Sequence, residues 1–244
     1  MNMKKILYFA ALCTLILTSC NGKKAYRIEG SFDVPDSLNF GDTVIARESF
    51  EGSWVYMCDL DGEPFDSVQV DEGEKFVFEG KVSAKDAFFA YITSDYTYGI
   101  IAIEPGDYAM TISNEVLAYG SPLNDAINDI DASVVEIEQN ISDRVLAAVE
   151  AAGGNPTDSI MMPYYIEFNS LYNQLIDSVY NSNKDNLVGV YAVNIITSGA
   201  ESVDELEFML EEYDDYIANS PLMNARRDYL RAANLKYGDN SQDE

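Results

Sequence analysis

The hydrophobic periodicity of this 244-residue chain changes near residue 120, and this change constrains the fold more than any other feature. Residues 26–119 contain short β-rich runs separated by turn signals such as Asp61-Gly62 and Pro105-Gly106. About eight such runs at spacings of roughly 8–12 residues are typical of an antiparallel β-sandwich or barrel. The predicted strands cover residues 26–32, 43–46, 54–59, 65–70, 75–78, 87–93, 99–103 and 107–112. Residues 120–238 have a helical period, so the sequence predicts an α+β fold with an all-helical C-terminal region.

A long helical hairpin is predicted at the start of the helical region. Ser121-Pro122 offers an N-cap residue followed by proline at the first helical position. From Leu123 to Val149, apolar residues recur at alternating steps of four and three, as in a coiled coil, until Gly153-Gly154 ends the helix. The second helix has an apolar face made of Tyr164, Phe168, Leu171, Leu175 and Val179. Three shorter helices are predicted to begin near Asn186, Ser202 and Ser220, and residues 239–244 are predicted to form a flexible tail.

The first twenty residues predict where the protein resides. Two lysines precede an apolar run that ends in Leu17-Thr18-Ser19-Cys20, which is typical of a secretory signal peptide with a lipobox. The run of about a dozen apolar residues is too short to span the ~30 Å hydrocarbon layer. Residues 1–19 are therefore interpreted as a lipoprotein signal peptide, Cys20 as the site of lipidation, with palmitate among the acyl chains, and residues 20–25 as a tether. The alternative is an ordinary secreted protein in which Cys20 is incidental.

The residues after Cys20 indicate the side of the membrane. Lipoproteins that Bacteroidota export to the cell surface usually carry an acidic run directly after the cysteine, whereas this chain has Asn21-Gly22-Lys23-Lys24. We therefore expect a lipid-anchored protein of the bacterial cell envelope that faces the periplasm. The sequence leaves open whether the inner or the outer membrane holds it.

The charge of the chain argues against several classes of partner. Its formal net charge is −27, with 42 acidic and 15 basic residues. Such a chain repels phosphate backbones, so nucleic acid is not an expected partner. Anionic lipid head groups are repelled as well, which makes the covalent anchor the expected membrane contact. Acidity also keeps an envelope protein soluble, and this is the interpretation we favour.

Residues that commonly carry chemistry are scarce. The chain has no histidine, which removes the commonest general base and the commonest zinc ligand, so no catalytic residue, metal site or cofactor is predicted. After Cys20 the one cysteine is Cys58, which is predicted to be a half-buried structural thiol, with a reactive thiol as the alternative. The segment from Asp59 to Glu63 resembles the start of a calcium loop but is interpreted as a turn. The acidic residues between Glu211 and Asp215 are interpreted as a solvated face of one helix.

Several short motifs resemble, in their order, those of a known family. They are Asp66-Ser67-Val68, Lys75-Phe76-Val77-Phe78-Glu79-Gly80, Ile103-Glu104-Pro105-Gly106 and Tyr119-Gly120-Ser121-Pro122-Leu123-Asn124. This order resembles domain of unknown function 4369 over roughly residues 26–130. In Bacteroidota envelope lipoproteins that domain typically stands before a thioredoxin-like module of the thiol–disulfide oxidoreductase type. The resemblance implies the fold, an envelope location and an accessory or binding role.

The redox activity of those relatives is not expected here. A dithiol reaction needs a nucleophilic thiol and a resolving thiol, and the sequence contains no C-x-x-C. We therefore expect a relative without the thioredoxin module. The resemblance supplies no catalytic residues.

Two groups of residues are candidates for binding or modification. Exposed aromatic side chains are common in protein and glycan contacts, and we expect such a binding loop around Trp54, Tyr96 and Tyr98. Four short segments match a signal for O-glycosylation like that of exported Bacteroidota proteins, and they would be modified at Thr43, Ser67, Ser159 and Ser178. The alternative is that these four are ordinary strand and helix residues.

These observations give three hypotheses for function. The first is a non-catalytic, lipid-anchored envelope protein that binds another envelope protein. The second is a lipoprotein that binds a carbohydrate or another small ligand through the aromatic loop. The third and weakest is a hydrolase that uses a pair of carboxylates.

Overall fold

The computed structural model describes residues 23–40 and 43–238. The predicted signal peptide, the lipidation site Cys20 and the predicted tail at 239–244 lie outside the described residues. Ten strands and six α-helices are found within them. The strands are β1 (Lys23–Phe32), β2 (Ser37–Phe40), β3 (Thr43–Ala46), β4 (Trp54–Cys58), β5 (Pro64–Gln69), β6 (Lys75–Ser83), β7 (Phe88–Thr93), β8 (Tyr98–Ile103), β9 (Gly106–Ile112) and β10 (Val116–Tyr119). The helices are α1 (Pro122–Ala151), α2 (Asp158–Ser182), α3 (Leu187–Thr197), α4 (Val203–Leu210), α5 (Asp215–Ala218) and α6 (Pro221–Gly238), and a short 3₁₀ helix covers Ala84–Asp86.

The strands form two four-stranded sheets and a separate hairpin of β2 and β3. The first sheet has the order β10-β9-β1-β6, and the second has the order β5-β4-β7-β8. The α+β class is confirmed, and the sheets form a sandwich that is not closed into a barrel. One pair departs from the predicted antiparallel arrangement, because β1 and β9 are parallel. Between these strands the chain forms β4 and β5 of the second sheet, returns to the first sheet at β6, antiparallel to β1, and forms β7 and β8 before it reaches β9.

The fold has three layers with a hydrophobic core at each of the two boundaries between layers, and a smaller hydrophobic cluster joins α1, α2 and α3. The first core lies between the two sheets and includes Ile28, Phe78 and Ile92. The second core lies between the helices and the outer face of the second sheet, where Phe89 and Ala102 contact the helical residues. Because alternate residues of a strand point to opposite faces, β7 and β8 contribute to both cores. The helical region is therefore packed directly on the sandwich.

Helix α1 is joined to the second sheet by a buried asparagine. Asn124 is only 2% exposed, and its side-chain amide accepts a hydrogen bond from the Ala102 N–H at 2.9 Å and donates one to the Ala102 carbonyl at 2.8 Å. Ser121 is the N-cap residue, as predicted, but its hydroxyl accepts a hydrogen bond from Asn124 rather than from the helix backbone. The Glu104 carboxylate accepts from the Leu123 N–H at 2.7 Å instead. The sandwich therefore supplies part of the helix cap.

The hairpin of α1 and α2 extends beyond the end of the sandwich. Along α1, Asn128 contacts the Ala118 carbonyl and Asp131 lies near Glu115, so α1 runs opposite to β10. Since β10 is antiparallel to β9 and β9 is parallel to β1, α1 runs in the same direction as β1. The residues of α1 after Asp131 add about 30 Å of helix. The hairpin tip therefore lies on the side of the molecule away from Lys23.

The buried face of α2 differs from the prediction. Leu171 was expected on the apolar face but is exposed, whereas Ile176 and Tyr180 are buried. The face that is buried is set by α3, which packs against this part of α2. Near the tip, an apolar groove of about 480 Å³ lies between Ile141, Val145 and the exposed side chains of Met162 and Tyr165. The end of the hairpin thus keeps an apolar surface exposed to solvent.

Candidate functional site

A row of aromatic side chains lies on the outer face of the second sheet, beside the helical layer. The register places Tyr56 opposite Thr93, and Thr93 opposite Tyr98, so the two tyrosines belong to one cross-strand row. Trp54 lies two residues before Tyr56 on the same face, and their rings stack with centroids 6.4 Å apart. All three aromatic side chains are exposed, with Tyr98 at 75%. Trp54, Tyr56 and Tyr98 are termed the aromatic face.

Tyr96 does not belong to this face. Its ring packs edge-on against Phe50, with centroids 5.6 Å apart, and Phe50 stacks on Phe32. A tight turn at residues 94–97 directs Tyr96 and Tyr98 to different places, because the Ser94 N–H donates to the Thr97 carbonyl. The structure therefore brings Trp54 and Tyr98 onto one surface and separates Tyr96 from them.

A cleft of about 520 Å³ adjoins the aromatic face at the edge of the helical layer. Tyr91 and Tyr98 line it from the second sheet, and Arg226 and Tyr229 line it from α6. Burial raises the pKa of Tyr91, the neighbouring Tyr98 adds to this rise, and the Arg226 guanidinium opposes it. These four residues define the tyrosine–arginine cleft. It offers several phenol hydroxyls around one cation.

Arg226 is held in place mainly by backbone carbonyls. Its Nη2 donates to the carbonyl of Ser198 at 2.6 Å and to that of Ala200 at 3.1 Å, and its guanidinium lies over the Tyr229 ring at 5.4 Å. Its Nε is buried and lacks a hydrogen-bond partner among the described residues. Among the described residues, no carboxylate forms an ion pair with Arg226, whereas the other arginines of α6 are paired. The guanidinium of Arg226 therefore keeps N–H donors for a ligand.

A second cleft, of about 710 Å³, lies on the other side of the turn between β4 and β5. Its floor is apolar and includes Phe89, and its lining includes the four aspartates Asp59, Asp61, Asp215 and Asp228. Asp59 is engaged in its own turn, since its Oδ1 accepts from the N–H groups of Asp61 and Glu63. Asp228 forms an ion pair with Arg231 at 2.7 Å. These four residues define the acidic cleft.

The matched family model covers the sandwich and the start of α1. Residues 26–127 match the family described as Domain of unknown function (DUF4369). The resemblance noted in the sequence is confirmed over this segment. No curated protein sequence matches the chain. The aromatic face lies wholly within the DUF4369 segment, whereas Arg226 and Tyr229 lie outside it, so the cleft joins the family domain to the helical region.

Within the described residues, no cluster of three or more His, Cys, Asp or Glu side chains is arranged to hold a metal ion. In the same part of the chain, no helix combines the length and the apolar character needed to cross a membrane.

The other candidate residues have structural roles within or beside the DUF4369 segment. Cys58 is a free, buried thiol whose sulfur lies 3.7 Å from the Thr93 hydroxyl, so it is more buried than predicted. The calcium-loop-like segment after it is a turn, as interpreted from the sequence. Residues 211–215 do not lie on one helix as predicted, because α4 ends at Leu210 and α5 begins at Asp215. Asp214 there accepts a hydrogen bond from the Tyr180 hydroxyl at 2.8 Å.

Three of the four predicted O-glycosylation residues are accessible. Ser67 in the DUF4369 segment is exposed, and Ser159 and Ser178 are exposed on α2. Thr43 lies in β3, and its side chain is outside the described residues. Modification of these residues stays a prediction.

Sequence reasoning missed four residues of the site, which are Tyr56, Tyr91, Arg226 and Tyr229. Tyr91 lies in the strand predicted at residues 87–93, but nothing in the sequence placed it outside the core. Tyr56 could have been found, since a period of two places it on the same strand face as Trp54. Arg226 and Tyr229 gave no comparable signal, because they meet Tyr98 only through the packing of α6 on the second sheet. Nothing in the local sequence of α6 indicates which strand it contacts.

Proposed function

We propose that this protein is a non-catalytic, lipid-anchored protein of the cell envelope that faces the periplasm and binds another envelope protein. The observation that carries the proposal is the juxtaposition of the aromatic face with the tyrosine–arginine cleft. Tryptophan, tyrosine and arginine are the residue types that dominate binding energy at protein interfaces. Here exposed tryptophan and tyrosine side chains lie beside the half-buried Arg226, next to a cleft that can receive a side chain of the partner.

The anchor is supported by the lipobox at Cys20. Incorporation of labelled palmitate into the full chain, and its loss in Cys20→Ser, would test this part of the proposal. Unlabelled protein in the presence of active lipoprotein processing would contradict it.

The binding surface can be tested by crosslinking in native membranes followed by affinity capture. We expect this experiment to recover a specific partner. The double variant Tyr98→Ala, Tyr229→Ala should recover at least about ten-fold less of it, because each interface tyrosine of this kind contributes more than about 1 kcal/mol to the free energy of binding. The matched control is Tyr96→Ala, Tyr119→Ala, because these two tyrosines are also exposed but lie elsewhere. Equal recovery by both double variants would refute the assignment of the surface.

A second candidate function is binding of a carbohydrate or another small ligand at the same surface. It is favoured by the flat, exposed rings of Trp54 and Tyr56 and by the donors of Arg226. A glycan array would separate the candidates, with Tyr98→Ala abolishing binding and Tyr96→Ala leaving it intact. Absence of glycan binding by the unmodified chain would remove this candidate. The hydrolase hypothesis stays a prediction, and the acidic cleft is where its carboxylates would have to lie.

A further inference from the structure

Four lysines lie together at one end of the first sheet. Lys23 and Lys24 begin β1, and the antiparallel register with β6 sets Lys23 opposite Ser83. Lys81 lies two residues earlier on β6, which makes it a diagonal neighbour of Lys23, at about 7–8 Å between Cα atoms. Lys85 follows in the 3₁₀ helix, where its N–H donates to the Ser83 hydroxyl. These four exposed lysines are termed the lysine edge.

The lysine edge is locally positive although the chain is strongly acidic. Within the described residues, none of its four ammonium groups takes part in an ion pair. In the segments 23–25 and 81–86, which contain the lysine edge, the four lysines are accompanied by a single acidic residue, Asp86. At physiological ionic strength the Debye length is about 8 Å, so charges farther away are largely screened. The local charge therefore decides what this edge attracts, and the net charge of −27 hides it.

We propose that the lysine edge binds the anionic head groups of the bilayer that holds Cys20. This inference rests on the lipid anchor of the proposed function. Lys23 follows Cys20 by three residues, which span at most about 10 Å when fully extended. The anchor therefore keeps the edge within reach of the head groups, and juxtamembrane lysines are attracted to an anionic leaflet at this range.

Contact at this edge would also set the orientation of the molecule. Because α1 runs in the direction in which β1 leaves Lys23, the hairpin projects away from the bilayer. The tyrosine–arginine cleft is lined by Tyr98, which begins β8. The next residue, Gly99, packs against Val116 at the far end of the sandwich. The bilayer thus holds one end of the sandwich and leaves the binding surface free.

Amine acylation read out by mass spectrometry tests this inference on the lipidated protein purified from membranes. The protein is reconstituted either in vesicles of phosphatidylcholine alone or in vesicles that also contain phosphatidylglycerol. We expect the lysine edge to react about five-fold more slowly in the anionic vesicles at low salt, and the difference to vanish at high salt. Lys75 and Lys184 are exposed elsewhere in the same molecule and should react equally in both vesicles.

A pair of variants separates charge from mere proximity to the anchor. In Lys81→Gln, Lys85→Gln the protection of Lys23 and Lys24 in anionic vesicles should weaken, whereas Lys75→Gln should leave it unchanged. Equal reaction of the lysine edge in both vesicles, with the protein floating alongside the lipid, would overturn this inference and leave the anchor intact. Failure of the purified protein to float with either vesicle would overturn the anchor, and this inference with it.

Discussion

Asn124 occupies the position that a neighbouring strand would take beside β8, and its removal would test how the helical layer is held on the sandwich. β8 is an edge strand of the second sheet, so one side of its backbone has no strand partner. The Asn124 amide bonds both polar groups of Ala102 on that side, at 2.9 and 2.8 Å. In Asn124→Ala the buried Ala102 N–H would lose its acceptor, and the carbonyl would keep only a long contact of 3.4 Å with the Tyr108 hydroxyl.

The expected loss of stability follows from these groups. A buried polar group left without a partner costs about 1–3 kcal/mol, so one full and one partial loss should lower the free energy of unfolding by about 2–4 kcal/mol. Urea denaturation followed by circular dichroism would measure this as a midpoint lower by about 1 M or more. Asn140→Ala is the matched control, since Asn140 is exposed on the same helix and should change stability by less than about 0.5 kcal/mol. If both variants unfold at the same urea concentration, the reasoning about Asn124 is refuted.

Three further predictions concern other contacts between side chains or between a strand and its neighbour. Arg47 donates two hydrogen bonds to Glu74 and holds the pKa of that carboxyl at about 2, so the stabilisation is present above about pH 4.5 and is lost as the pH falls toward 2. The thermal unfolding midpoint of Glu74→Gln should therefore depend less on pH across this window than that of the unmodified protein. An equal pH dependence of the two midpoints would contradict the assignment. The Tyr191 hydroxyl donates to the Asp131 carboxylate, whose pKa is raised by burial. Tyr191→Phe should lower the free energy of unfolding in urea by about 1–3 kcal/mol, and it should raise the pKa of Asp131 further, as measured by NMR titration. An unchanged pKa of Asp131 would argue against the contact. A methyl group at Gly30 would collide with the ring of Phe76, its cross-strand partner in β6. Gly30→Ala should therefore lower the free energy of unfolding by about 1–3 kcal/mol, as measured by calorimetry. An unchanged stability would show that the ring can move aside.

The sequence predicted most of the strands and helices because their patterns are local. The strand at residues 43–46 and the start of α1 at Pro122 are found where the periodicity and the N-cap signal placed them. β2 and β10 were missed because their assignment depends on pairing with β3 and β9 rather than on a pattern of their own. The strand predicted at 75–78 continues to Ser83, because Gly80 lies opposite Tyr26 and the tyrosine ring covers the glycine.

The candidate site was only partly predictable for the same physical reason. Exposure of Trp54 and Tyr98 could be expected from their places on a strand and beside a turn. The separation of Tyr96 from Tyr98 depends on the turn geometry at residues 94–97, and the arrival of Arg226 depends on how α6 packs. The first is a local turn geometry and the second is a tertiary contact, and neither could be read from composition or spacing.

The position of β1 inside the first sheet has a mechanical consequence. β1 lies between β6 and β9 and is hydrogen-bonded to both along its length, from Lys23 to Ser31 on one side and from Tyr26 to Phe32 on the other. A pull applied to the residues before Lys23, as by a lipid drawn through a moving bilayer, would load these two ladders in shear rather than open them one bond at a time. The strand that follows the proposed anchor is therefore the one that must slide past two neighbours before the sandwich yields.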